Sequence, residues 1–247
     1  MLALEPGFKA AHEAPAPLDY TPGSGKTFSF SVDSGERANA FFVPSPHPTR
    51  NVVFVFHEWW GLNDYIKREA EKIREELGDV EVYAIDLYDG KVATTPDEAS
   101  ALMSSLDKNR AGAIIKGLLE QMPADKHIVT IGWCMGGTWS LMGTLLSGKR
   151  AHGCVMYYGF PIEDEKLVKT INTDVLFIRG NLDTYITTES IDKLKEEVES
   201  TQHKFTLKGY NAVHAFANPS NPKYDKKAAG DAHKKAMKFI KEHFKQK

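Results

Sequence analysis

The stretch Gly132-Trp133-Cys134-Met135-Gly136-Gly137 decides how this chain is read. It follows the apolar run His127-Ile128-Val129-Thr130-Ile131 and precedes a segment with helical periodicity from Gly136 to Leu146. The pattern predicts a strand that passes directly into a helix. A side chain displayed on so sharp a turn needs neighbours without Cβ, because the backbones pack too closely there for one. Glycines two residues before and two after Cys134 meet that need. The turn also sets a thiol at a helix start, where unpaired N–H groups carry partial positive charge and favour thiolate. Cys134 is therefore the candidate nucleophile. The second cysteine, Cys154, sits in a run without such a turn and reads as core.

On either side of this turn, strands alternate with helices. Thr27 to Pro44 reads as a β-hairpin turning at Asp33-Ser34-Gly35. Further strands are expected at 51–56, 81–85, 127–132, 153–158, 174–179 and 203–207. Helices are expected at 63–77, across a long region from Thr95-Pro96 to Met122, and at 136–146, 188–200 and 228–244. Residues 1–25 are a Pro/Gly-rich arm expected to lie across the surface, and residues 26–247 form the domain. Alternation of this kind implies a mostly parallel central sheet with helices on both faces in an α/β domain.

Composition bounds the function. At 247 residues the chain is long enough for one large domain and short for two. With 31 basic against 33 acidic residues and no basic stripe, nucleic acid is not an expected partner. No apolar run approaches the ~18 residues of a membrane span, and the N-terminus does not read as a signal peptide. Two cysteines exclude a disulfide scaffold and fit a reducing cytoplasm. The histidines are scattered without H-x-x-x-H spacing, so no metal and no cofactor are expected. A monomer or small homo-oligomer is expected.

Parallel sheets gather function at the C-terminal ends of their strands. His57 and Glu58, Cys134, Asp183 and His214 all fall at such ends. His214 is the candidate general base, and it follows Cys134 and Asp183 in the chain. Asp183 would orient the imidazole, although an aspartate there also suits a turn or a helix cap. His57, the nearest rival to His214, reads as loop structure. His12 and the remaining histidines lack the strand-end position. The stretch His57-Glu58-Trp59-Trp60-Gly61-Leu62-Asn63 places an acid and two tryptophans after the first parallel strand. The Trp59 N–H would pair with the Met135 N–H to hold an oxyanion, while the two indoles equally suit core or lid packing. Trp60, Tyr88, Lys91, Tyr158, Phe160 and Phe216 are the candidate pocket residues.

These motifs, with Asp86-Leu87-Tyr88, Tyr157-Tyr158-Gly159, Gly180-Asn181-Leu182-Asp183 and His214-Ala215-Phe216-Ala217-Asn218-Pro219, together resemble the dienelactone hydrolase family over most of the chain from the hairpin onward. The resemblance implies a single-domain α/β-hydrolase fold and a Cys134-His214-Asp183 triad. It implies hydrolysis of a small-molecule carboxylic ester or lactone through a thioester, with no cofactor. It also implies that Glu58 contacts the resting thiol and takes its proton when substrate displaces it. Founding members hold a substrate carboxylate with two arginines, one after the Asp-Leu-Tyr motif and one after the catalytic histidine. Here those places hold Asp89-Gly90-Lys91 and Ala215 to Asn218, and Lys91 offers a point charge rather than a planar clamp. A neutral ester or lactone is thus favoured over a carboxylated one. The alternatives are a promiscuous aryl-ester and phosphotriester hydrolase using the same thiol, a non-catalytic ligand-binding module, and a redox sensor at Cys134.

Overall fold

A computed structural model describes residues 6–10 and 12–245. Eight strands run β1 (Lys26–Ser31), β2 (Arg37–Val43), β3 (Asn51–Phe56), β4 (Glu81–Ile85), β5 (His127–Trp133), β6 (Ala151–Tyr157), β7 (Val175–Gly180) and β8 (Phe205–Tyr210). They form one sheet in the order β1-β2-β4-β3-β5-β6-β7-β8. The β1-β2 hairpin is antiparallel and joins β4 antiparallel, and every later pairing is parallel. The helices are α1 (Pro6–Ala10), α2 (Asp64–Leu77), α3 (Pro96–Ser104), α4 (Lys108–Glu120), α5 (Met135–Ser147), α6 (Glu165–Val168), α7 (Thr188–Glu199) and α8 (Lys226–His243).

The central strands are apolar on both faces because helices cover both. Along β3, Val53 and Val55 join the cluster containing Ile66, Ala70 and Ile73 of α2. Val52, Phe54 and Phe56 join the opposite cluster, with Ile114, Ile115 and Leu118 of α4. This is the period-2 alternation of a strand buried twice. The expected long helix from Thr95 to Met122 is two helices. Thr95 and Glu98 close a capping box on α3, and Asp107 accepts from the Asn109 and Arg110 N–H groups to start α4 afresh.

The arm departs from its expected place in its first half. Phe8 and His12 are fully or almost fully buried. The His12 Nδ1–H donates to the Phe8 carbonyl at 2.7 Å, and both rings pack on the Trp59 indole, at 5.2 and 4.9 Å. Proline and glycine dominate the arm's composition, and they obscure two aromatic rings spaced one helical turn apart. The second half does lie across α2. The N–H groups of Gly23, Ser24 and Gly25 and the Tyr20 hydroxyl all donate to the Glu71 carboxylate. Residues 1–5, 11 and 246–247, which complete the expected arm and domain spans, lie outside the described residues.

The β5-α5 turn holds Cys134 at φ 54°, ψ −121°, a backbone conformation that L-residues rarely adopt. Close approach explains the glycines around it. A Cβ on Gly136 would meet the Phe56 and His57 carbonyl oxygens at 2.2 and 2.5 Å, and one on Gly132 would meet the Gly136 oxygen at 2.0 Å. Both obstacles are backbone, so neither can swing aside. Gly136→Ala is expected to destabilise the fold by roughly 2–4 kcal/mol, as an overpacked core position does. Gly112→Ala, on α4 with nothing within 4 Å of the added methyl, is expected to stabilise by about 0.5–1 kcal/mol. Urea unfolding of the two variants checks the contrast, and equal midpoints would remove the close-packing account.

Candidate active site

Four strand ends bring the site together. Cys134 stands on the turn after β5, and its N–H donates to the Tyr157 carbonyl at 3.0 Å, tying the turn to the end of β6. Asp183 lies just past β7 and His214 past β8. The His214 Nε2 is 3.3 Å from the Cys134 sulfur, and its Nδ1–H donates to Asp183 Oδ2 at 2.7 Å. Asp183 Oδ1 accepts from the Tyr185 and Ile186 N–H groups at 2.8 and 3.3 Å. The aspartate is thus a turn residue and an imidazole partner at once, one oxygen for each task. All three side chains are buried.

Burial pushes the Cys134 thiol well above its ordinary pKa. The nearby Glu58 adds to this, and the Met135 N–H aimed at the sulfur opposes it. Desolvation thus favours the thiol over the thiolate at this position, 3.3 Å from His214 Nε2. The helix-start charge that would favour thiolate is present, but desolvation outweighs it. Met135 opens α5, and its N–H is one of the two expected oxyanion donors. The other, at Trp59, lies on the loop after β3.

That loop is fastened by His57. Its Nδ1–H donates to the Glu58 carbonyl at 2.6 Å, and its Nε2 accepts from the Leu87 N–H at 3.2 Å. Burial lowers its pKa, and both ring nitrogens are engaged in holding the β3 and β4 loops together. His57 is loop structure, as its sequence context indicates.

Glu58 differs from the arrangement implied by the resemblance. Its carboxylate accepts from the Asn218 amide rather than meeting the thiol, and its other oxygen has no hydrogen-bond partner. Burial pushes its pKa up to about 8, partly opposed by Asn218. Asn218 holds one of the places where founding members carry arginine. Sequence reasoning noted the missing charge there and missed the amide's partner.

The expected pocket residues divide. Trp60 lines a cleft of about 530 Å³ with Glu58, Asn218, Arg68 and Lys72. Phe160 and Met135 line a second cleft, of about 1030 Å³, with Trp139 and Ile162. Tyr158 packs on the His214 ring at 5.1 Å, and the Tyr88 hydroxyl donates to the Met135 sulfur at 3.1 Å. Tyr88, Tyr158, Phe216 and Lys91 line neither cleft, and the first three are buried. Phe216 is fully buried between Tyr158 and Tyr210 and supports the site from behind. Lys91 is exposed on a separate hollow with Val92 and Leu102. Positive φ at Asp89 and Gly90 turns the chain away after Tyr88.

Neither cleft opens on the sulfur. The arm lies over His214, with the Phe8 and His12 rings 5.7 and 5.4 Å from the imidazole. Burial, with the charge of His214 adding to it, pushes the His12 pKa down to about 4. In the sequence, His12 lacks the strand-end position and context that single out His214. The one available signal was its spacing of four residues from Phe8.

A mostly parallel sheet covered by helices on both faces, with a tight glycine-flanked turn after β5 and an acid and a histidine past β7 and β8, defines an α/β-hydrolase fold. The model of the Dienelactone hydrolase family matches residues 38–244, and the chain belongs to that family. It is a carboxylic ester hydrolase. Protein usf of Aquifex pyrophilus is 29% identical over 204 residues, covering 77% of this chain and 87% of that protein. A dienelactone hydrolase-like promiscuous phosphotriesterase from metagenomic libraries superposes with a TM-score of 0.75 at 20% identity, covering 89% of this chain and 99% of that one. The dienelactone hydrolase of Anabaena variabilis gives a TM-score of 0.61 at 17% identity, with 88% and 98% covered. At these identities the two structures share the fold.

Glu58 has a consequence for stability. Its folded pKa lies above its unfolded value, so between the two the folded state holds a proton that the unfolded state has released. Wild-type stability is therefore lost as pH rises from about 5 to about 8, by at most about 1.4 kcal/mol per pH unit from this group. Glu58→Gln cannot ionise, so it should gain stability relative to wild type over that window, by a few kcal/mol in all. Urea unfolding of both proteins at several pH values measures this. A pH-independent difference would mean that Glu58 titrates normally.

Proposed function

We propose that this enzyme hydrolyses neutral carboxylic esters or lactones with Cys134 as nucleophile, His214 as general base and acid, and Asp183 as the group that orients the imidazole. The observation that carries the proposal is the line from Cys134 Sγ through His214 to Asp183 Oδ2, 3.3 and 2.7 Å long, on a turn held in an uncommon backbone conformation. The sulfur attacks the ester carbonyl carbon as its proton passes to His214 Nε2. The Met135 and Trp59 N–H groups receive the developing oxyanion. His214 returns the proton to the leaving alkoxide, leaving a thioester on Cys134. Water then attacks the thioester with His214 as base, and the acid departs.

Sulfur suits this site. A buried serine would need a strong base to ionise it, whereas a thiol gives up its proton to imidazole more readily and is intrinsically more nucleophilic. The resting neutral form also withholds the thiolate from oxidants until substrate arrives. Glu58 stands beside this machinery, and its raised pKa equips it to exchange a proton near neutral pH.

Cys134→Ala is expected to abolish turnover of a chromogenic aryl acetate, and Cys154→Ala to retain it. Asp183→Asn should retain a small residual rate, because the imidazole survives without its orienting partner. Mass spectrometry after an acylating agent should place the adduct on Cys134, and an adduct on a serine or on Cys154 would overturn the assignment.

The substrate's charge supplies a second test. Without the arginine pair, a dienelactone carboxylate should show no kcat/KM advantage over a neutral lactone of similar size. An advantage on the order of 100-fold, or about 2.7 kcal/mol, would contradict this. In that case Arg68→Ala is the variant to make, because Arg68 lines the cleft beside Glu58 and Lys91 does not.

A further inference from the structure

Three soft or borderline donor atoms converge where the arm meets the site. His12, Cys134 and His214 each offer one ligand atom, a ring nitrogen or the sulfur, and these atoms all lie within 4.8 Å of one another with all three side chains buried. The arrangement of the two imidazoles is unusual for residues so far apart in the chain. His214 gives its Nδ1–H to the Asp183 carboxylate, and His12 gives its Nδ1–H to the Phe8 carbonyl. Each ring is thereby fixed with its Nε2 lone pair facing inward. Metal-binding histidines are held in this way, with the far N–H anchored on a carboxylate or a backbone carbonyl. The His12 Nε2 has no hydrogen-bond partner, so nothing in the hydrolase chemistry uses it.

We infer that His12, Cys134 and His214 form an inhibitory site for zinc(II), in which the arm supplies the third ligand. Nitrogen and sulfur donors select zinc over the hard cations magnesium and calcium. A tetrahedral ion with bonds of about 2.0–2.3 Å holds such donors roughly 3.4–3.6 Å apart. The Cys134–His214 pair already stands at 3.3 Å, so closure on the order of 1 Å by His12 completes the site. Binding forms one Zn–S and two Zn–N bonds and breaks the Cys134 S–H bond, with one proton released to solvent. The fourth position is left open to water. The ion occupies the nucleophile and its base together, and it clamps the arm over both.

The inference goes beyond the proposed ester hydrolysis, and its test has a readout independent of that activity. The chelator-washed full-length protein is titrated with cobalt(II) as an optical probe and, separately, with zinc during aryl acetate turnover. Wild type should show a thiolate-to-cobalt charge-transfer band and the intense visible bands of tetrahedral cobalt, saturating at one equivalent. Zinc should inhibit with the same stoichiometry, and a chelator should reverse it. His12→Phe keeps an aromatic ring between Phe8 and Trp59 but offers no lone pair, and His12→Gln keeps a polar side chain that ligates poorly. Each should weaken binding of both metals at least about 10-fold relative to wild type. Circular dichroism verifies that the variants are folded, and agreement between the two substitutions separates ligand loss from disturbed packing. Unchanged metal affinity in both variants would overturn the inference, leaving any ion on Cys134 and His214 alone. Absence of the cobalt bands in wild type would overturn it as well. Failure of ester turnover with the cobalt spectrum intact would instead count against the proposed hydrolysis.

Discussion

The close approach of the β5-α5 turn to the end of β3 is the constraint on which the site depends. Gly136 lies so near the Phe56 and His57 carbonyls that any side chain there would strike backbone. Gly137 is packed on Gly159 after β6, where a Cβ would meet backbone at 2.8 Å. These contacts lock the start of α5 between two neighbouring strand ends and hold Cys134 at positive φ. The same contact sets the loop bearing Glu58 and Trp59 beside the helix start. In the proposed mechanism an oxyanion formed at Cys134 draws one donor from each segment. Strain at one residue persists because the surrounding sheet over-determines it.

Once the groups are assembled, burial governs their charge states. The thiol, Glu58 and His57 are all shifted toward their neutral forms, with desolvation as the largest cause in each case. Removing charged groups from water is costly unless each finds a partner. Asp183 has one, since the imidazole and two backbone N–H groups share its oxygens. Glu58 has only the Asn218 amide. That difference separates two carboxyls that look alike in sequence. Asp183 has hydrogen bonds on both oxygens, whereas Glu58 has one oxygen without a partner and holds its proton into the neutral range.

The arm shows how composition can mislead. Proline and glycine set its overall character, yet two aromatic side chains within it are buried against the Trp59 indole and His214. Phe8, His12 and Cys134 line neither of the two clefts near the site. Both clefts are mixed in polarity, one carrying Glu58 and Arg68 and the other Met135 and Phe160. Phe8 and His12 cover the His214 imidazole that faces the sulfur.

Much of this was legible in the residues alone, for reasons that are local. The strands and helices follow from periodicity, and the glycine spacing around Cys134 reflects contacts made within a few residues. Chain order and strand-end position were enough to select Asp183 and His214, because a parallel sheet sends those ends to one edge. The break between α3 and α4 was hidden because helical periodicity continues across it, and only the Asp107 cap reveals the restart. Tertiary structure alone decided the rest. The Glu58 to Asn218 bond spans 160 residues, and no local pattern encodes such a pairing. Lys91 was displaced by a turn of two residues, and Phe216 was drawn beneath the site by packing against Tyr158. His12 reached the thiol through contacts between the arm and a loop distant in sequence. Periodicity reports which face a side chain takes, but which distant faces meet depends on how the whole sheet and its loops close together.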